Sequence, residues 1–180
     1  VLSPENDTRD MIYVSSLSGL SGLAASLESF DLLTLLSPSA VKHEWSELVR
    51  ARHVQLSFHD IVELTPDLIA PDADVMQAIL DFGRAAVDQR PLLVHCWAGI
   101  SRSSAAAYAI ACDRNPGYEA EIADELRRRS PYVTPNRLMV KLADDILNRH
   151  GRMSTAIARI GRGAEAAEGE PYQLPLRWPI

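Results

Sequence analysis

The run PLLVHCWAGISRSSAAAYAIACDRN, positions 91 to 115, narrows the possible folds more than any other segment. PLLVH is apolar until its last residue, which predicts a central strand buried on both faces. After a short loop containing Gly99, SSAAAYAIACDRN is apolar nearly all round and stops at Asn115-Pro116-Gly117, which predicts a buried helix beginning near Ser103. A strand, a tight loop and a helix in that order converge backbone N–H groups on one point, where the helix dipole also favours negative charge. An anion the size of phosphate fits there. Gly99, beside the small Ala98, lets the backbone curl and approach such a ligand closely.

The rest of the chain alternates strand-like and helix-like segments. MIYVSSL (11 to 17) predicts a strand and SGLAASLESF a helix, and Leu32 to Leu36 form a second compact apolar run closed by Ser-Pro-Ser. VKHEWSELV reads as a loop or short helix. In HVQLSFHDI, Val54, Leu56 and Phe58 alternate with Gln55, Ser57 and His59, the pattern of a strand with one buried face, and Asp60 stands where it ends. Asp74 and Gln77 have capping-box spacing before a helix whose stripe is Val75, Ile79, Phe82 and Ala86. Two amphipathic helices follow the buried one. One carries Tyr118, Ile122 and Leu126; the other starts after Thr134-Pro135, carries Met139, Leu142 and Ile146, and ends at Gly151. Residues 153 to 161 could add a short helix. The expected fold is α/β, a mainly parallel central sheet flanked by helices, with the phosphate-binding loop between a buried strand and a buried helix. Residues 1–10 are expected as a flexible N-terminal arm and 11–161 as one domain. Residues 162–180, rich in Gly, Glu and Pro, are expected as a C-terminal tail, packed over the surface or disordered.

Charge and cysteine content narrow the partners. Lys and Arg total 18 against 24 Asp and Glu, a formal charge of -6, which argues against nucleic acid. No apolar run approaches the roughly 18 residues of a membrane span, and VLSPENDTRD lacks the layout of a signal peptide, so neither membrane nor export is expected. Two cysteines cannot make a disulfide framework, and neither lies in a metal-ligand spacing; a cytoplasmic location with no metal and no cofactor is expected. Cys112, on the apolar helix, reads as core. His43, His53, His59 and His150 show no ligand spacing and read as ordinary polar residues.

Cys96 opens the predicted anion loop, so its sulfur would lie beneath the loop's donors. Helix N-termini and neighbouring cations favour the thiolate, which is the nucleophilic form. Arg102 adds a planar fork of donors able to grip two oxygens of a phosphoryl group, where a lysine would act as a point charge. Phosphoryl transfer depends mainly on positioning and charge stabilisation, so a nucleophile and a cradle supply most of what it needs.

These residues match a Cys-X5-Arg signature, in the fuller form HCxxGxxRS, and the chain resembles the protein tyrosine phosphatase superfamily, most of all its small dual-specificity-like branch. The looser resemblance runs from about Met11 to Asn148 and includes TPNRLM. It implies a phosphocysteine at Cys96 and a phosphate cradle from Trp97, Ala98, Gly99, Ile100, Ser101 and Arg102. It further implies that the Ser103 hydroxyl stabilises the departing thiolate and that His95 helps keep Cys96 ionised. The implied activity is that of a protein tyrosine or dual-specificity phosphatase, with phosphorylated protein or peptide as substrate and a phosphate or sulfate anion able to occupy the loop. The family also uses an aspartate from another loop to protonate the leaving oxygen. Asp60 is preferred because it ends a strand and its spacing before Cys96 resembles that branch; Asp67 is the runner-up, and Asp72 and Asp74 read as helix caps. The chain lacks the Lys-Asn-Arg-Tyr and Trp-Pro-Asp motifs of the tyrosine-specific branch, so strict phosphotyrosine specificity is not implied. A phosphoinositide or other non-protein phosphate ester is the alternative substrate class, although the loop offers no lysine or second arginine for extra phosphates. A sulfurtransferase or a non-catalytic phosphate-binding module is the remoter reading. Trp97 either walls the pocket or packs.

Overall fold

The computed structural model describes residues 10–40, 51–86 and 90–180, so VKHEWSELV and the first nine residues lie outside the described part. In chain order the elements are β1 (Met11–Ser15), α1 (Leu20–Ala25), β2 (Asp31–Leu36), β3 (His53–Ser57), α2 (Ala73–Arg84), β4 (Leu92–His95), α3 (Arg102–Arg114), α4 (Glu119–Arg129), α5 (Arg137–Ile146), α6 (Arg152–Ile160) and β5 (Tyr172–Pro175). The strands form one sheet in the order β3-β2-β4-β1-β5. β4 is parallel to both β1 and β2, β2 is parallel to β3, and only β5 runs antiparallel, against β1. The expected α/β class with a mainly parallel sheet is what the chain forms.

Parallel strands place all their carboxyl ends on one edge, and in open α/β sheets ligands collect outside that edge. Here the edge gathers Ser16 after β1, Ser37 after β2, Asp60 beyond β3 and Cys96 after β4. The register sets Ser15 beside His95, so the turn after β1 lies against the loop after β4.

Every residue of α3 from Arg102 to Cys112 is buried. This helix lies on the sheet against β1, β4 and β5, and α2, α4 and α5 pack around it. Gly83 is what lets α2 approach it so closely: a Cβ added there would lie 2.7 Å from Ile110 Cγ2. The opposite face of the sheet is covered by a smaller cluster of Met11, Tyr13, Leu20, Ala24, Phe30, Leu32 and Leu93, with α1 as its lid. Fully buried Asp31 meets Arg52 at 3.1 Å and Arg90 at 3.2 Å, which compensates a carboxylate that would be costly if left alone. Buried Asp144 accepts from Gly151 N at 2.7 Å and Ser154 N at 3.0 Å and so sets the corner between α5 and α6.

Three local expectations change. Asp72, not Asp74, caps α2, accepting from Val75 N at 2.9 Å. Asp72 is extended (φ -131°), which puts its carboxylate over the first turn, while Asp74 is already helical and Gln77 turns to Asp81 instead. Helix α5 stops at Ile146 rather than Gly151, because Asn148 (φ 52°) and His150 (φ 55°) turn left-handed and Gly151 is the N-cap of α6. Within 162–180, β5 joins the sheet and buries Tyr172 and Leu174 in the main core, with Leu176 just beyond it, an alternation masked by the Gly, Glu and Pro around it. Among the described residues, no helix is long and apolar enough to cross a membrane.

Candidate active site

Cys96 leaves the end of β4 with its sulfur buried. Gly99 N donates to Cys96 Sγ at 3.3 Å, and Ser103 Oγ on the first turn of α3 lies 3.2 Å from the same sulfur. The loop can close over the sulfur only because Gly99 takes φ 71°. A Cβ there would stand 2.7 Å from Ser16 N and 2.9 Å from Ser15 C, both backbone atoms that cannot swing away. Gly99→Ala is therefore expected to cost about 2–4 kcal/mol in chemical denaturation, from left-handed strain plus overpacking. Gly169→Ala, whose Cβ would meet Gly99 O and Ile100 Cγ1 at an adjustable 3.3 Å, is expected to cost about 1 kcal/mol or less.

Arg102 opens α3 and is 5% exposed. Its Nη1 donates to Phe58 O at 2.8 Å and Ser37 Oγ at 3.1 Å, and its guanidinium carbon sits 5.9 Å from the Phe58 ring centre. These contacts pin the fork from the ends of β2 and β3. Its Nε is buried without a hydrogen-bond partner. A buried donor left so costs about 1–3 kcal/mol, and an acceptor in the loop would remove that cost.

Asp60 is brought to the same place from beyond β3. Ser101 Oγ and Asn136 Nδ2 each donate to Asp60 Oδ1 at 2.8 Å. Asn136 also donates to Ile61 O at 3.1 Å, and its Oδ1 caps α5 by accepting from Met139 N at 3.0 Å. The segment before α5 is itself tied to the loop, with Thr134 N donating to Ile100 O at 3.1 Å and Asn136 N to Ser101 O at 3.3 Å. Cys96, Arg102 and Asp60 thus share one cavity of about 540 Å³, which Trp97, Ser37 and Ala166 help to line. Of the four candidate aspartates only Asp60 lines it; Asp67 sits at φ 63° on the exposed loop beyond, and Asp72 caps α2.

His95 is buried, its Nε2 2.9 Å from Thr34 Oγ1 and its Nδ1 3.4 Å from Cys96 O. Thr34 Oγ1 is also 2.9 Å from His53 Nε2. Trp97, at 58% exposure, stands on the cavity rim and not in the core. Burial pushes the Cys112 thiol well up, which leaves it protonated in the core, as expected. Burial, with the Cys96 charge as a lesser cause, also raises the Tyr172 phenol.

Several residues at the site carry no motif. The Glu168 carboxylate accepts from the Ser16 and Ser18 hydroxyls, which hold it below the usual carboxylate range, and Gly169 N donates to Ala98 O at 2.8 Å. The segment before β5 is thereby strapped to the loop between β4 and α3, and Ala166 and Ala167 wall the cavity. A second groove of about 1040 Å³ shares Asp60, Ile100, Ser101, Ala166 and Ala167 and runs on towards Tyr132 and Arg137. Ser37 had a signal in the Ser-Pro-Ser that closes an apolar run, and Asn136 in its cap position after Thr134-Pro135. Glu168 and the alanines had none. Among the described residues, no group of His, Cys, Asp or Glu side chains could hold a metal ion.

No protein-family model matches this chain, and no curated protein matches it by sequence. Solved structures do match. PTPMT1 in complex with PI(5)P is 12% identical with a TM-score of 0.60, covering 87% of this chain and 98% of its own. DUSP15 is 14% identical with a TM-score of 0.57, covering 89% and 97%. Tk-PTP in its active form is 20% identical with a TM-score of 0.52, covering 73% and 86%. At such identities the likeness is one of fold, and the chain has the mainly parallel α/β fold of dual-specificity phosphatases.

Proposed function

We propose that this protein is a cysteine-dependent phosphomonoesterase, a protein tyrosine or dual-specificity phosphatase. The observation that carries the reading is one cavity in which Cys96 Sγ lies beneath Gly99 N and beside Ser103 Oγ, with Arg102 and Asp60 on its walls. The Cys96 thiolate attacks phosphorus as the bond to the leaving oxygen breaks, and protonated Asp60 gives that oxygen its proton. Both donors to Asp60 fall on Oδ1, which leaves Oδ2 to carry the proton. Arg102, its free Nε included, and the loop N–H groups of residues 97 to 102 hold the non-bridging oxygens. Water then attacks the phosphocysteine, Asp60 takes its proton, and the sulfur leaves as thiolate with the Ser103 hydroxyl donating to it. His95 supports the loop through Cys96 O and Thr34. Both cysteines are free, and a thiol nucleophile suits the reducing cytoplasm.

The cavity favours a single phosphate on an apolar stem. Trp97, Ile100, Ala166 and Ala167 offer apolar contact, and Arg102 is the one cation among the described lining residues. A phosphoinositide is the second reading, supported by likeness to PTPMT1 in complex with PI(5)P. A head group with several phosphates would meet a chain of net charge -6. Steady-state kinetics at matched salt on phosphopeptides and phosphoinositides separate the two. Phosphotyrosyl peptides are expected to have the highest kcat/KM, phosphoseryl and phosphothreonyl peptides lower values, and phosphoinositides little turnover. A phosphoinositide exceeding every phosphotyrosyl peptide would replace the first reading with the second.

A further inference from the structure

The loop that carries Asp60 is shut at its base by a clasp that the chemical steps above do not use. Residues 60–68 leave the end of β3 and return at Ile69. There His59 N donates to Ile69 O at 2.7 Å, and Ile69 N donates back to His59 Nδ1 at 2.9 Å. Inside the loop, Ile61 N donates to His59 O at 3.0 Å and Leu68 N to Thr65 O at 3.2 Å. Compact surface loops are ordinarily shaped by the packing of their own side chains. This one shows its apolar side chains to solvent instead: Val62, Leu64, Leu68 and Ile69 are all exposed. Hydrogen bonds, not burial, therefore hold its shape.

Asp60 is the first residue past the clasp. Its carboxylate is steadied from one side by Ser101 and Asn136, while its backbone is steadied from the other by His59. We propose that His59 is a positioning residue for proton transfer, its Nδ1 closing the loop so that Asp60 meets the leaving oxygen. The inference rests on the reading of Asp60 as proton donor. To accept from Ile69 N, the ring is neutral with its proton on Nε2. Small misplacements of a reacting group are expensive, so a loosened loop base should slow the step that needs Asp60 and spare a step that does not.

His59→Ala and His59→Leu both delete the acceptor. His59→Asn keeps one, because Asn Oδ1 is bonded to Cγ as His Nδ1 is. The test measures kcat for each variant on aryl phosphates of graded leaving-group strength, together with hydrogen exchange at the Ile69 amide. Alkylation of Cys96 by iodoacetamide at the wild-type rate shows that the cradle is folded. His59→Ala and His59→Leu are expected to lose about tenfold on phenyl phosphate but about twofold or less on dinitrophenyl phosphate, with faster Ile69 exchange. His59→Asn is expected to recover most of both losses. An equal loss across the series, an unchanged leaving-group slope, or failure of His59→Asn to recover activity when Ile69 protection has returned overturns the proposal. A wild-type protein that hydrolyses no aryl phosphate overturns the phosphatase reading and this one with it, whereas an active wild type with an unchanged slope in the variants overturns only the role of His59.

Discussion

Cys96→Ser is expected to abolish turnover of aryl phosphates, by more than about 10³-fold, while leaving the protein able to bind inorganic phosphate. The two halves of this expectation have separate physical origins. Turnover needs a group that is both anionic and a good leaving group from phosphorus, which a serine hydroxyl in the same place is not. Binding needs the loop N–H groups and Arg102, whose Nη1 contacts to Phe58 O and Ser37 Oγ do not involve the sulfur. Serine is also close in size, so the contacts from Gly99 N and Ser103 Oγ have an oxygen to meet. Steady-state assay and calorimetric titration with phosphate check the two halves. Residual activity comparable to wild type would remove the covalent mechanism; lost phosphate binding in a folded variant would place the sulfur itself among the binding contacts.

Asp60→Ala is expected to lower kcat by about 10²–10³-fold on a phosphotyrosyl peptide or phenyl phosphate, and by less than about tenfold on dinitrophenyl phosphate. An aryloxide with strongly withdrawing groups departs without a proton, so the benefit of a general acid shrinks as the leaving group improves. Asp67→Ala should stay near wild type throughout, since Asp67 lies outside the cavity that holds Cys96. A leaving-group series assayed at one pH reads both variants. Equal losses across the series for Asp60→Ala, or a larger effect from Asp67→Ala, would move the role away from Asp60.

Much of the frame could be read in advance because its signals are periodic and local. Buried β4 and α3 announced themselves by continuous apolar runs, and α2 by its stripe, of which Ile79 and Phe82 are fully inside. The N-terminus of α2 was harder. Asp72 and Asp74 are both good caps in composition, and the choice falls on Asp72 because the chain after Pro71 is extended there. The end of α5 was hidden in the same way, since Asn148 and His150 adopt left-handed turns that no apolar period reports.

The stretch from His95 to Ser103 is legible in the chain alone: cysteine, glycine, arginine and serine are close neighbours, and a strand feeding a helix through a tight turn sets their arrangement with short-range hydrogen bonds. What faces them depends on how the whole chain packs. Parallel pairing of β4 between β1 and β2 brings Ser16 and Ser37 to the loop, and β3 at the sheet edge delivers Asp60. Asn136 reaches Asp60 across a sequence separation of 76 residues, and Glu168 reaches Ser16 across 152. Such contacts depend on which faces of the whole chain are buried together, and no local period or motif encodes them. β5 is the plainest instance: Tyr172 and Leu174 become core residues because β1 leaves an unpaired edge, and that edge exists only once the other strands have paired.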